Sequence, residues 1–188
     1  MAALFKVADA AAGANLAHEV YPGLPGLVVA GGELRPMTWG FPLALKSKAT
    51  GKALKPKPVN NTRADKLTSF FWRGSFAHRR CLIPVDAFAE AEGERGHKTR
   101  TWFSKPDGSV LACAGIWRDT EEWGQAFSMV MTDASSAVAP VHDRMPVILA
   151  ADDHTTWLEG GAEEALALCR PYGGDLRVER TDEAWVRR

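Results

Sequence analysis

Residues 140–146 (PVHDRMP) set an imidazole, a carboxylate and a guanidinium side by side between two prolines. Proline fixes φ, lacks an N–H and restricts the residue before it, so we predict a rigid extended or turning segment rather than a helix. The ordinary pKa of histidine, about 6.5, suits His142 to proton transfer near neutral pH. The alternative is a polar turn that leads into the apolar strand 147–149.

Glu90 lies inside the apolar segment 85–91 (VDAFAEA). Alternation along a strand puts Phe88 and Glu90 on one face. A carboxylate among apolar neighbours is partly desolvated, which raises its pKa and suits it to general acid–base chemistry. The segment therefore predicts a second proton-transfer group. The alternative is that Glu90 faces solvent at the end of a strand.

A net charge of zero conceals a basic segment. Between Lys46 and Arg80 there are ten Lys and Arg residues and one acidic residue, Asp65, whereas the rest of the chain has 13 basic and 22 acidic residues. Such a segment indicates a localised surface for a polyanion. The alternative is a solvated, mobile loop, because residues 46–57 are rich in Lys, Gly and Pro.

The chain has seven tryptophans, and most of them are expected in the core because indole buries a large area. Trp39 precedes the basic segment and Trp72 lies within it. Aromatic rings interleaved with basic residues suit stacking on the bases of a single strand. We therefore regard Trp39 and Trp72 as candidate base contacts.

The totals favour one domain, residues 1–188, of an ordinary globular class, with 46% apolar and 24% charged residues. Apolar runs are too short to span a bilayer, and the N-terminus does not resemble a secretory leader. Cys81, Cys113 and Cys169 lack CxxC spacing, which argues against a zinc ribbon or a disulfide framework and suits a reducing cytoplasm. Walker and Rossmann glycine patterns are missing. We expect no metal and no cofactor.

These groups must be positioned by a chain dominated by strand patterns. We predict a hairpin of strands 26–30 and 34–39 closed by Gly31 and Gly32, and an antiparallel meander of strands 101–104, 110–117 and 126–132. Further strands are predicted at 80–83, 87–91 and 176–179. Helices are predicted at 2–12, after Asp152 and Asp153, and at 163–169, with a short helix or turn at 64–72. The fold class is α+β, with a mostly antiparallel sheet or barrel-like core and peripheral helices.

With these residues in view, the chain resembles the SOS response-associated peptidase (SRAP) family, which senses abasic sites in single-stranded DNA. The resemblance covers about residues 20 to 150 and rests on motifs that occur in the family's order. The motifs are residues 37–40 (MTWG), 61–65 (NTRAD), 80–84 (RCLIP) running into 88–90 (FAE), 114–117 (AGIW) and 139–149 (APVHDRMPVIL).

The resemblance implies that Asn61, Glu90 and His142 occupy the catalytic positions of the family. The asparagine would hydrogen-bond near the reacting centre, the glutamate would handle protons, and the histidine would assist opening of the abasic sugar and Schiff-base chemistry. An abasic site exposes a latent aldehyde, which a nearby amine and thiol can trap covalently. The residues assigned to DNA binding are Trp39, Arg63, Trp72 and Arg144.

The sequence departs from the family at the nucleophile, which is the cysteine directly after the initiator methionine. Position 2 is Ala2, and residues 1–7 resemble the first helix that follows the catalytic strand in the family. Cys81 is expected to pack as a small buried residue rather than to act as a substitute nucleophile. One explanation is a gene start set too late, downstream of a Met-Cys strand; the other is a divergent member that binds DNA without crosslinking. We favour the first.

We therefore expect a cytoplasmic, nucleoid-associated monomer that binds single-stranded DNA at abasic sites, without contact with a membrane. The family's covalent crosslinking and self-processing peptidase activities are expected to be impaired, so the assignment as an enzyme stays open. One alternative is a non-catalytic single-stranded DNA-binding module of the same fold. The other is an unrelated hydrolase using Glu90 and His142, which would need a metal or a second nucleophile.

Overall fold

Strands are the main regular element of the structure, a computed structural model that describes residues 1–186. The strands are β1 (Ala8–Asp9), β2 (Pro25–Ala30), β3 (Glu33–Trp39), β4 (Phe41–Lys46), β5 (Ala53–Val59), β6 (Asn61–Arg63), β7 (Arg80–Val85), β8 (Ala87–Glu92), β9 (Thr99–Ser104), β10 (Leu111–Thr120), β11 (Gly124–Asp133), β12 (Arg144–Pro146), β13 (Ile148–Leu149) and β14 (Arg177–Ala184). The helices are α1 (Ala2–Phe5), α2 (Arg73–His78), α3 (His154–Glu159) and α4 (Ala162–Ala167), with 3-10 turns at Ala64–Lys66 and Ala151–Asp153.

The main sheet closes on itself. Strands β3, β2, β7, β10 and β11 are neighbours in that order and pair antiparallel. Strand β11 then returns to β3 through a short parallel pairing, in which Phe127 lies opposite Trp39. After the residues that pair with β3, β11 pairs with β6 in parallel and with β12 antiparallel. The predicted α+β fold, a single domain with a barrel-like core and peripheral helices, is confirmed.

Apolar side chains on the two faces of the barrel strands form two clusters. On β7, Cys81 and Ile83 belong to the first cluster, together with Phe88 and Phe103 of the separate sheet β8–β9–β14. Leu82, between them, belongs to the second cluster, which includes Trp157 of α3. The alternation follows from the pleat of a strand. The first cluster therefore joins the barrel to the second sheet, and the second cluster joins the barrel to the helices.

Arg80 lies buried at the start of β7, with a relative exposure of 7%. Its guanidinium donates to the carbonyls of Phe76 at 2.9 Å, Trp157 and Gly160. These carbonyls end α2 and α3, where main-chain acceptors lack intrahelical partners. Desolvation lowers the Arg80 pKa. Arg80 therefore links helices α2 and α3 to the barrel. It does not contribute to the basic surface that was predicted for the segment from Lys46 to Arg80.

Local turn chemistry predicts several elements correctly. Strands β2 and β3 form the expected hairpin, and β10 pairs with β11 as expected. Gly31 and Gly32 have φ values of 59° and 76°, as a tight hairpin turn requires. Residues 138–142 turn back on residues 135 and 138 through main-chain hydrogen bonds, so the proline-bracketed segment is a turn rather than a helix.

Some predicted elements are wrong. The helix at 2–12 ends at Phe5, because Lys6 adopts φ 54° and Ala8–Asp9 pairs in parallel with β3. Strand β9 does not join a meander with β10, because it pairs with β8 and β14. Residues 46–57 are not one irregular loop: β4 and β5 pair as an antiparallel hairpin, which residues 47–52 connect. None of the helices within residues 1–186 has the length and apolar character that a membrane-spanning helix requires.

Candidate functional site

His142 is held by the main chain of the residue two positions ahead. Its Nδ1 atom lies 3.1 Å from the amide nitrogen and 3.0 Å from the carbonyl oxygen of Arg144, and 3.4 Å from the Asp143 carboxylate. An amide can only donate, so Nδ1 of the neutral ring accepts and Nε2 carries the hydrogen. After protonation, Nδ1–H donates to the Arg144 carbonyl beside a carboxylate. Both protonation states of the imidazole therefore have partners.

Glu90 faces His142 from the other sheet. The Glu90 carboxyl lies half-buried on β8, and burial raises its pKa. The positive charge of His142 opposes burial by lowering the Glu90 pKa. The Asp143 carboxylate raises the same pKa, and Lys98 lowers it. The structure thus brings together two residues that the sequence analysis assigned to proton transfer, 52 positions apart in the chain. A carboxyl that holds its proton more tightly, beside an imidazole, is suited to general acid–base exchange.

Strand β6 carries Asn61 along the edge of β11. The carbonyl of Asn60 accepts hydrogen bonds from Trp39 Nε1 at 3.0 Å and from the Met129 amide at 3.0 Å. The half-buried ring of Trp39 stacks on Phe127, with centroids 6.4 Å apart and an interplanar angle of 8°. These contacts fix the strand, while the Asn61 side chain points to the surface. Trp39 therefore supports the segment that presents Asn61.

Arg63 and Arg144 line one open cleft of about 440 Å³, which we call the arginine cleft. Arg63 makes two hydrogen bonds to the Asp65 carboxylate, at 2.8 and 2.7 Å. The hydrogen bond from Arg63 is the main cause of the lowered Asp65 pKa. Asp133 and Cys169 also line the cleft. Two guanidinium groups in one cleft suit a phosphate, although Asp65 occupies part of the donor capacity of Arg63.

Trp72 is buried in the second cluster, with a relative exposure of 9%. Its ring contacts Phe41 and Phe71, with centroids 5.4 and 4.6 Å away. The Arg118 guanidinium covers the Phe41 ring at 3.9 Å. This packing leaves little of Trp72 for contact with a base, whereas Phe70 is 86% exposed. The run of aromatic residues at 70–72 does not itself tell which ring turns inward.

The cysteines of the chain are poorly suited to nucleophilic attack. Cys81 and Cys113 are fully buried, and burial raises the pKa of both thiols, that of Cys113 to about 12. Cys169 is half-buried, and burial raises its pKa to about 12 as well. A protonated thiol is a weak nucleophile. Cys81 packs in the first cluster as the sequence analysis expected.

Helix α1 lies on the helical side of the barrel. Ala2 and Phe5 pack against the second cluster, and Phe5 stacks on His154 at 5.6 Å. Trp39 and Val141 pack instead against the first cluster. In the part of the chain that the structure describes, no group of three or more His, Cys, Asp or Glu side chains could hold a metal ion.

Comparisons with known proteins agree with this architecture. The chain is 28% identical over 127 residues to the abasic site processing protein YoaM of Bacillus subtilis, covering 61% of this chain and 55% of the relative. It is 25% identical over 128 residues to the abasic site processing protein YedK of Escherichia coli, covering 66% and 54%. The chain thus spans about half the length of these curated relatives.

Solved structures share the fold. A crystal structure of a Bacteroides thetaiotaomicron protein has a TM-score of 0.76 at 22% identity, covering 96% of this chain and 88% of that one. A crystal structure from Bordetella bronchiseptica has a TM-score of 0.75 at 24% identity, covering 89% of each chain. The family model of SOS response associated peptidase (SRAP) matches residues 2–184. The chain belongs to the SRAP family.

Proposed function

We propose that this protein binds single-stranded DNA at abasic sites through the Glu90–His142 pair and the arginine cleft. The observation that carries the proposal is the position of the half-buried Glu90 carboxyl, close enough to His142 for the charges of the two groups to interact. On this proposal the protein acts as a monomer in the cytoplasm, at the nucleoid. The names of its relatives, abasic site processing proteins, support the same substrate.

Each group has a chemical role in this proposal. Arg63 and Arg144 together bind a backbone phosphate next to the lesion in the arginine cleft, since guanidinium matches phosphate geometry. Asn61 hydrogen-bonds the opened sugar, whose aldehyde is the electrophile. Glu90 delivers or removes a proton at the sugar, and His142 exchanges one through Nε2. The covalent step needs a nucleophile, which the family places at position 2, where this chain has Ala2.

DNA binding and the covalent step can be tested in separate assays. Fluorescence anisotropy would compare a single strand that contains one tetrahydrofuran abasic analogue with the same strand carrying a normal base. We expect the lesion strand to bind tighter and Arg144→Gln to weaken binding about tenfold, which is about 1.4 kcal/mol. Glu90→Gln and His142→Ala should leave the affinity within about twofold, since neither residue is assigned to a phosphate. Equal affinity for both strands would refute the proposed specificity.

The covalent step has its own assay, a denaturing gel with a true abasic strand. A version extended by a Met-Cys strand should form a denaturation-resistant band, and Glu90→Gln or His142→Ala should slow its formation. The chain that begins at Met1 should form none. A persistent band from that chain would contradict the assignment of the nucleophile.

A second candidate, a non-catalytic single-stranded DNA-binding module, is favoured by the buried thiols of Cys81 and Cys113. It predicts salt-sensitive binding and no covalent product, even in the extended version.

A further inference from the structure

We propose that the β4–β5 hairpin, residues 41–59, is a basic arm that binds the phosphate backbone of double-stranded DNA next to the lesion. The inference rests on the proposed function and extends it from the damaged strand to the neighbouring duplex. The arm carries five exposed lysines and no acidic residue. These lysines are Lys46, Lys48, Lys52, Lys55 and Lys57.

The arm holds cations that the fold itself does not use. Elsewhere in the basic segment, Arg63 is bound to Asp65, and Arg80 is buried on helix carbonyls. In contrast, none of the arm's lysines has an ion-pair partner among residues 1–186. Unpaired cations concentrated on one projection are complementary to an external polyanion.

The root of the arm lies at the candidate site. Phe41 pairs with Val59 at the base of the hairpin, and Trp39 and Asn61 stand just outside its two ends. Gly40 enters the arm with φ 116°, and its amide donates to the Phe127 carbonyl at 2.7 Å. A ligand at the surface beside Asn61 is therefore adjacent to the first residues of the arm.

The arm is an ordered ribbon with a defined reach. Its strands of six and seven residues, at about 3.3 Å per residue, give a length of roughly 20 Å. The tip closes through hydrogen bonds from the Ser47 amide to the Lys52 carbonyl and from the Gly51 amide to the Ser47 carbonyl, both 2.8 Å. At about 3.4 Å per base pair, this reach corresponds to roughly six base pairs.

Composition favours duplex over single-stranded DNA. Residues 42–58 contain no aromatic side chain, whereas proteins that follow single strands stack bases on aromatic rings. A two-stranded ribbon fits the major groove, which is about 12 Å wide. Pro42, Pro56 and Pro58 remove main-chain donors from the ribbon, which disfavours addition of a partner strand from another protein.

The test compares three DNAs that share one lesion-bearing strand. The strand contains a tetrahydrofuran abasic analogue and is used alone, with a complementary strand on the 5′ side, or with one on the 3′ side. We expect the wild-type protein to bind one of the two junctions at least tenfold more tightly than the strand alone. The triple variant Lys48→Gln/Lys52→Gln/Lys55→Gln should lose that preference and keep the affinity for the single strand within twofold.

The salt dependence gives a second readout. Loss of three phosphate contacts to duplex DNA should reduce the slope of log K against log salt by about 2.7, from about 0.9 per contact. The matched control is Lys6→Gln/Lys105→Gln/Arg177→Gln, which removes the same charge outside the arm and should leave the junction preference intact.

Three outcomes would overturn the inference. The first is a wild-type protein that is indifferent to the junctions, the second is an equal loss of affinity for all three DNAs in the triple variant, and the third is a control that matches the triple variant. Equal loss would place the arm on the single strand, and a matching control would indicate net charge alone. If the wild-type protein binds no lesion-bearing DNA, the proposed function itself fails, a result distinguishable from tight single-strand binding without a junction preference.

Discussion

Replacement of Arg80 by methionine should strongly destabilise the fold without changing the exposed positive charge of the surface. The substitution leaves the carbonyls of Phe76, Trp157 and Gly160 without the guanidinium that they share. A hydrogen bond to a charged group contributes about 1.5–3 kcal/mol, so loss at the first two, which are buried, costs roughly 3–6 kcal/mol. The substitution also removes the cost of burying the charged guanidinium, which offsets part of this loss. We expect a net decrease of about 3 kcal/mol in the free energy of unfolding.

Urea denaturation followed by tryptophan fluorescence measures this change, and the melting temperature should fall by roughly 6–12 °C for a chain of this size. The matched control is Arg79→Met. The Arg79 side chain is 46% exposed, and its nearest carboxylate, that of Asp119, is 3.9 Å away. We expect the control to cost about 0.5 kcal/mol. A loss below about 1 kcal/mol for Arg80→Met, or equal losses for both variants, would refute the structural role of Arg80.

Three further predictions concern the core, the site and the root of the arm. Trp72→Ala should cost about 3–5 kcal/mol in urea denaturation, and Phe70→Ala under about 0.5 kcal/mol; similar losses would contradict the assigned burial. Glu90 binds its proton more tightly in the folded than in the unfolded chain, so stability should fall as pH rises from about 4.5 through the raised pKa. Glu90→Gln should abolish that fall in denaturation curves measured across pH, and an unchanged profile would argue against desolvation. Gly40→Ala should lower the melting temperature for two reasons. An added Cβ would lie 2.6 Å from Pro58 Cβ, and a left-handed φ costs a residue with a side chain about 1–2 kcal/mol. An unchanged melting temperature would contradict this strain.

Features set by neighbouring residues could be predicted from the sequence. Gly31 and Gly32 define a hairpin because both can adopt positive φ, and strand alternation places Glu90 on the same face as Phe88. Features set by distant residues could not. The acceptors of Arg80 include carbonyls 77 and 80 positions away, and β9 finds a partner in β14 near the end of the chain.

The candidate site shows the same division. The spacing of residues 140–146 predicts a rigid histidine, yet nothing local to it indicates that Glu90 approaches from another sheet. Resemblance to the SRAP family, and not local spacing, is what groups these residues into one predicted site. The basic segment illustrates the opposite case: its composition fitted either a loop or a polyanion surface, and only the pairing of β4 with β5 distinguishes an ordered ribbon.

Because the candidate site is divided between two sheets, its side chains need not come into place at the same time. His142, Arg63 and Arg144 depend on the barrel, but Glu90 reaches its place only when the sheet β8–β9–β14 packs on the first cluster, where Phe88 stacks on Phe103 at 5.1 Å. Transient undocking of that sheet would leave the guanidinium groups of Arg63 and Arg144 in position while removing the carboxyl. On the proposed function, substitutions that loosen the Phe88–Phe103 contact would therefore uncouple lesion binding from proton transfer, from a distance and without altering any residue of the site.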